Sequence, residues 1–355
     1  MTAEHVSSPT YYRSLYWFSV VTAAVAVGLI VVGAMVTSTR SGDAVPDWPL
    51  SYGTLAPPMI GGILYEHSHR LVAGLTGICV TILAIWLWIK RPNEKIRWLG
   101  VFALVAVIFQ AVLGGIRVLV VSSHTVQHTA VQVTGISSVE TNRLIFAVIH
   151  GCLAQAILGL LFAIALFNSR NWISGITGEE NIHINPGVPR LGKILLSLVF
   201  IQLVLGAVVR HAGAALSIPD FPLSFGRLIP PFGNLPQNSY MPYPASQGEY
   251  LFKVAIHFAH RVLGFTILIF IGFLFYKFRN LPYSGKHIRL LSLLIVIQVL
   301  LGGLNIWTAI SVPTTVLHVV VGSLILATSV VFVLWSRRLS LTPSEEAEAT
   351  QPLAQ

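Results

Sequence analysis

Four histidines inside apolar segments are the residues best suited to chemistry in this sequence. His69 and His150 lie in the first half of the chain, and His260 and His318 lie at matching places in the second half. An ionisable side chain at membrane depth is costly unless it is paired or ligated. Two imidazoles facing each other in a helical bundle can each give one axial nitrogen to a haem iron, whereas a structural zinc would need four ligands. The pattern predicts one haem site per half, although any one of these histidines taken alone would be better explained as a hydrogen-bonded core or interfacial residue.

The two halves differ three residues before their first histidine, where the first half has Glu66 and the second has His257. On a helix this spacing puts Glu66 on the face of His69, about 4.5 Å further along the axis. Glu66 is therefore predicted to reach the edge of a haem held by His69 and to accept or donate a proton there. The alternative is a solvated carboxylate just outside the helix, and the same alternative applies to His257.

Four arginines are candidate partners for the two propionates that a haem carries. Arg70 and Arg261 directly follow ligand candidates, and Arg117 and Arg210 close the third and fifth predicted helices. The alternative is that they are interfacial arginines whose stems lie along apolar surface while their charges reach water.

The composition requires a membrane around these residues. Of 355 residues, 54% are hydrophobic and 10% are charged, with a mean hydropathy of +0.76, which excludes a water-soluble globule and a disordered chain. The net charge of +9 comes from basic residues between apolar runs rather than from one face, so nucleic acid is not an expected partner. Eight runs are long enough to span a bilayer: 16–37, 67–89, 98–120, 144–167, 191–211, 254–276, 288–310 and 314–335.

An internal repeat organises these spans. The segment 46–53, PDWPLSYG, recurs as 219–226, PDFPLSFG, and three further motifs follow in the same order. They are His69-Arg70 with His260-Arg261, Gln110 to Gly115 with Gln298 to Gly303, and His150 with His318. Four spans per half imply parallel repeats, so we expect an all-α membrane protein of two four-helix bundles about a pseudo-twofold axis along the membrane normal. The expected units are the bundle 1–168, the linker 169–187, the bundle 188–338 and a disordered tail 339–355.

The loop charges predict the orientation. Lys and Arg are concentrated in the second, fourth and sixth connections and after the last span. Because basic loops stay in the cytoplasm, both termini are expected there, and the four histidines are expected to open their helices at the outer face. The outer Pro-Asp-aromatic-Pro segments are expected to be helix-capping turns within lids over the sites.

The segment Glu66-His67-Ser68-His69-Arg70, the three later histidines and the outer motifs resemble the haem A synthase family over about 16–336. The only cysteines, Cys79 and Cys152, lie in apolar spans, so the resemblance is to bacterial members without cysteines in their outer loops. It implies oxidation of the C8 methyl of haem O to a formyl group through hydroxylated intermediates, giving haem A for terminal oxidases.

The resemblance also implies how the sites are used. The substrate haem would lie between His69 and His150 with Glu66 as acid/base or charge-stabilising residue, and a haem b between His260 and His318 would relay electrons. It implies a bacterial cytoplasmic membrane, sites near its outer face, haem O synthase as substrate donor and a terminal oxidase or its assembly factors as acceptor.

Two other functions remain open from the residues. A di-haem electron carrier linked to quinol would hold two identical haems, and a transporter would use the histidines as a proton relay. His124 and His128 are spaced for a surface metal if helical, but 121–143 has no counterpart in the second half and no assigned role. The electron partner, the oxygen source and a possible homo-oligomer are not specified by the sequence.

Overall fold

The computed structural model describes residues 10–91, 94–175, 184–240 and 246–340, which form helices and connecting loops without an extended strand. The helices are α1 (Arg13–Ser38), α2 (Gly61–Lys90), α3 (Ile96–Ser122), α4 (His124–Thr134), α5 (Val139–Phe167), α6 (Arg170–Ile173), α7 (Gly187–His211), α8 (Gln247–Phe278), α9 (Ser284–Trp307) and α10 (Val312–Arg338). All except α4 and α6 are long and apolar enough to cross a membrane. The prediction of an all-α, multi-pass membrane protein with eight spans is confirmed.

The histidine-bearing helices begin earlier than the apolar runs predict. They start at Gly61, Val139, Gln247 and Val312, so each candidate histidine lies well inside its helix rather than at its start. Helix α2 continues through Glu66, which accepts a hydrogen bond from the Val45 N–H, and α8 continues through Glu249 and Lys253, which form an ion pair. The expectation that these histidines open their helices is therefore wrong. The loops 39–60 and 212–240 are called the outer loops after their predicted orientation.

The long helices pack in two groups of four. Helices α1, α2, α3 and α5 contact one another in a ring, and so do α7, α8, α9 and α10. Each group has its own apolar core, around Leu83 and Leu161 in the first and around Ile271 and Leu291 in the second. Helices α1 and α5 meet α10, and α5 meets α7, so these four form the boundary between the groups.

Two of the expected segments lie mostly outside the described residues. Within the expected linker, 176–183 is not described, while α6 and the start of α7 are. The expected disordered tail is described only at Leu339, which is buried, and Ser340.

Candidate functional site

Each of the four candidate histidines packs against a glycine on a neighbouring helix. A Cβ added to that glycine would lie only 3.0 Å from the ring Cε1 in three of the pairs and 3.5 Å in the fourth. The pairs are Gly33 with His69, Gly114 with His150, Gly206 with His260, and Gly302 with His318. Because glycine has no side chain, these four positions leave the space that the imidazole rings occupy.

The histidine rings of the second half are spaced as two ligands of one metal ion would be. The ring centroids of His260 and His318 lie 6.5 Å apart. Because metal–imidazole bonds are about 2 Å long, two rings at this separation can hold one metal ion between them. In the first half, His69 lies within electrostatic range of His150.

All four rings carry a buried Nδ1 atom for which the described residues provide no hydrogen-bond partner. Buried polar atoms are normally satisfied, so four equivalent exceptions set these rings apart from ordinary core histidines. The described residues contain no cluster of three or more His, Cys, Asp or Glu side chains, so they offer no zinc-type ligand set. The donor set of two imidazoles per half fits a haem, whose macrocycle supplies the other four nitrogens.

Glutamines support the histidine-bearing helices from the side. The amide nitrogens of Gln110 and Gln202 each donate to a backbone carbonyl, that of His150 and of His260, at 2.9 Å. The repeated sequence motifs contain Gln110 and Gln298, but Gln202 is not among the predicted site residues. The signal for it was the spacing Gln-x-x-x-Gly, which Gln202 shares with the other two.

Glu66 is buried inside α2, with 4% of its surface exposed. Its Oε1 accepts a hydrogen bond from Arg70 Nη2 at 2.7 Å, and its Oε2 accepts one from the backbone N–H of Val45 at 3.0 Å. The alternative of a solvated carboxylate outside the helix is therefore wrong. Glu66 joins α2 to the outer loop.

His257 makes the corresponding connection in the second half. Arg261 Nε donates to His257 Nε2 at 3.1 Å, while His257 Nδ1 lies 3.2 Å from the Ser217 hydroxyl and 3.4 Å from the backbone N of Ile218. A carboxylate and an imidazole thus occupy the same structural place, and only the first carries a negative charge.

Arg70 and Arg261 hold the outer loops. Arg70 Nη1 donates to the carbonyls of Asp47 and Leu50, and Arg261 donates to the corresponding carbonyls of Asp220 and Leu223. The N–H groups of both arginines thus bond to backbone carbonyls of the protein itself. The propionate-binding role predicted for the two arginines stays a prediction.

The loop segments with Pro-Asp-aromatic-Pro close on themselves. The Asp47 carboxylate accepts hydrogen bonds from the backbone N–H groups of Tyr52 and Gly53 at 2.7 and 2.8 Å, and Asp220 repeats this arrangement. Slight burial would raise the pKa of Asp47, but these hydrogen bonds and the nearby Arg70 charge hold it below its usual 3.8. The segments are not helix caps, since α2 begins without a side-chain cap and α8 is capped by Ser246.

The aromatic residue of each loop explains the second glycine of the repeated Gly-Gly motif. A Cβ on Gly115 would lie 2.6 Å from the Trp48 ring, and one on Gly303 would lie 2.9 Å from the Phe221 ring. The first glycine of each motif faces a candidate ligand and the second receives a loop aromatic. The loop therefore lies directly beside the histidine pair.

The remaining predicted residues are placed as follows. Arg210 Nη2 donates to the Ala34 carbonyl and the Ser38 hydroxyl of α1 at 2.7 and 2.9 Å. The Arg117 guanidinium lies against the Gly42 backbone. His124 and His128 lie on the helix α4 as their spacing required, but both are exposed and no third ligand adjoins them within the described ranges.

Comparisons with known proteins agree with this arrangement. Residues 62–330 match the family model COX15-CtaA, described as a cytochrome oxidase assembly protein. The chain is 28% identical to a heme A synthase of Halalkalibacterium halodurans over 73% of this chain and 74% of the relative. Identity to the heme A synthases of Alkalihalophilus pseudofirmus and Bacillus mycoides is 26% and 27%, covering 88% and 95% of this chain and 94% and 98% of the relatives. The chain belongs to the COX15-CtaA family of cytochrome oxidase assembly proteins.

Proposed function

We propose that this protein is a haem A synthase, a membrane oxidoreductase that converts haem O to haem A by oxidising the C8 methyl to a formyl group through hydroxylated intermediates. The observation that carries the proposal is the pair of rings of His260 and His318, 6.5 Å apart, together with an equivalent glycine-packed pair in the first half. The curated relatives named heme A synthase support it.

We assign the substrate haem to His69 and His150 and a haem b to His260 and His318. The support is the asymmetry beside the sites, because Glu66 is a carboxylate where His257 stands in the second half. When bound, haem b would supply one-electron redox chemistry. The chain itself orients the ligands through Gln110 and Gln202.

Glu66 is the proposed acid/base or charge-stabilising residue of the substrate site. Arg70 and the Val45 N–H hold its two oxygens in place, so the carboxylate keeps a fixed position inside α2. A proton taken from or returned to the substrate would pass through one of these oxygens. The outer loop that Arg70 fixes would exclude bulk water from this exchange.

The proposal includes the architecture and setting. The bundles 1–168 and 188–338 would be parallel repeats about an axis along the membrane normal, with both termini cytoplasmic and the sites near the outer face of a bacterial inner membrane. The two rings of helix contacts and the equivalent glycine–histidine pairs support this division. Haem O synthase would supply the substrate, and a terminal oxidase or its assembly factors would take the product.

The test is acid extraction of haem from the purified, detergent-solubilised protein, with mass identification of each species. We expect haem B together with haem O, haem A or the intermediate alcohol. Haem B alone at two per chain would instead favour a di-haem electron carrier, which the similar packing of the two histidine pairs would also suit. A protein without haem would contradict both functions.

A further inference from the structure

The outer end of the first-half site carries charges that are only partly balanced. Arg143 forms an ion pair with Asp43, and Arg70 forms one with Glu66. Arg117 lies in the same region, within electrostatic range of Asp43, Glu66 and Arg143. Across the described ranges, no hydrogen bond or ion pair engages its guanidinium, so this end of the site retains an unpaired cation.

A histidine from the second half reaches the same place. The two bonds from the Arg210 side chain connect the end of α7 to the end of α1, immediately beyond the Gly33 that faces His69. His211, the last residue of α7, is thereby within electrostatic range of His150, Arg117 and Arg143. Its ring makes no hydrogen bond to any described residue.

The second-half site lacks counterparts of these four groups, although Arg210 lies within electrostatic range of its His318. Counted from the shared motifs, His211 corresponds to Ser38, Arg117 to Asn305, and Arg143 to Ser311. Asp43 corresponds to Leu216. The four groups His211, Arg117, Arg143 and Asp43 are thus particular to the first-half site.

We propose that His211 completes the carboxylate-binding end of the first-half site, acting with Arg117 across the boundary between the two bundles. Imidazole and guanidinium N–H groups are donors to carboxylates, and a haem presents two carboxylates at one edge. The substrate haem is then held by both halves of the protein. This inference rests on the proposed function, because it takes the ligand of His69 and His150 to be a haem.

The test compares a ligand with and without carboxylate charge. Purified full-length protein carrying its second-half haem is titrated with iron protoporphyrin IX or with its dimethyl ester, and uptake is followed by Soret absorbance. A hydrogen bond to a charged group is worth enough that His211→Ala should weaken uptake of the dicarboxylate about tenfold. Uptake of the ester should be equal in both proteins, and His211→Gln, which retains a donor, should recover part of the loss.

The controls separate this inference from the function beneath it. His124→Ala removes an exposed histidine from α4 and should bind like the unmodified protein. If His69→Ala abolishes uptake but neither His211 variant weakens it, the inference is wrong and the proposed substrate site stands. The same holds if His211→Ala weakens uptake of the acid and the ester equally. A chain that takes up no second haem would contradict the proposed substrate site and the inference with it.

Discussion

Glu66 shows how one residue can hold a loop and supply a charge at the same time. Its partner in the repeat, His257, makes a similar connection through an arginine four residues later and an outer-loop backbone N–H. The connection therefore does not require a carboxylate. The negative charge is the property that is particular to the first half.

Replacing Glu66 with Ala should leave both haems bound and stop haem A formation, because the axial histidines are untouched while the carboxylate beside them is lost. Glu66→Gln should have the same effect on product while retaining an acceptor for Val45 N–H. Haem extraction from membranes measures both. The control Glu140→Gln alters an exposed carboxylate on α5 and should leave product unchanged. Normal haem A levels in Glu66→Ala would refute the assigned role.

The glycines facing the histidines give a second prediction for single residues. Gly206→Ala would place a methyl group 3.0 Å from His260 Cε1, which forces the ring to move. We expect this variant to lose most of its second-half haem, measured as the ratio of Soret to protein absorbance. Gly272→Ala, where nothing lies within 4 Å, should retain it, since alanine is favoured over glycine in a helix by about 1 kcal/mol. Equal haem content in the two variants would contradict the close fit.

The outer loops are the elements that bring the repeated motifs together. Trp48 of the first outer loop packs on Gly115 of α3, and Arg70 of α2 donates hydrogen bonds to backbone carbonyls of the same loop. The loop thus links two helices that carry or face candidate ligands. Its own shape depends on Asp47, which binds two backbone N–H groups.

The stability that Asp47 gives to its loop should therefore depend on pH. The folded-state pKa of Asp47 lies below its usual 3.8, so its ionised form stabilises the fold above that value and this contribution is lost as the pH falls through the folded pKa. The melting temperature of the unmodified protein should drop more between pH 5 and pH 3 than that of Asp47→Asn, by about a degree or two. An equal drop in melting temperature in both proteins would show that Asp47 does not contribute to this pH dependence.

The whole molecule is two rings of four helices joined along α1, α5, α7 and α10. Arg210 crosses this boundary to α1, and His211 beside it lies near the first-half site. The two halves are accordingly not independent, even though each has its own core.

The proposed orientation makes a prediction about the entire chain. Alkaline phosphatase, which is active only outside the cytoplasm, should be active when fused after Gly135 and inactive when fused after Arg279 or Arg338. The reason is that basic residues near the last two positions retain those loops in the cytoplasm. The opposite activities would invert the topology and place the histidine pairs near the inner face.

The sequence by itself determined the eight spans, the internal repeat, the four histidines and the family, because hydropathy and repeated motifs are properties of the chain read in order. It did not determine where α2 and α8 begin. These helices extend before their apolar runs through Glu66, which bonds to the outer loop, and through the ion pair of Glu249 and Lys253. The glycine–histidine contacts, the binding of loop carbonyls by Arg70 and the crossing of Arg210 to α1 were decided only by the tertiary structure. Each joins residues on different elements, and packing, not local pattern, brings such residues into contact.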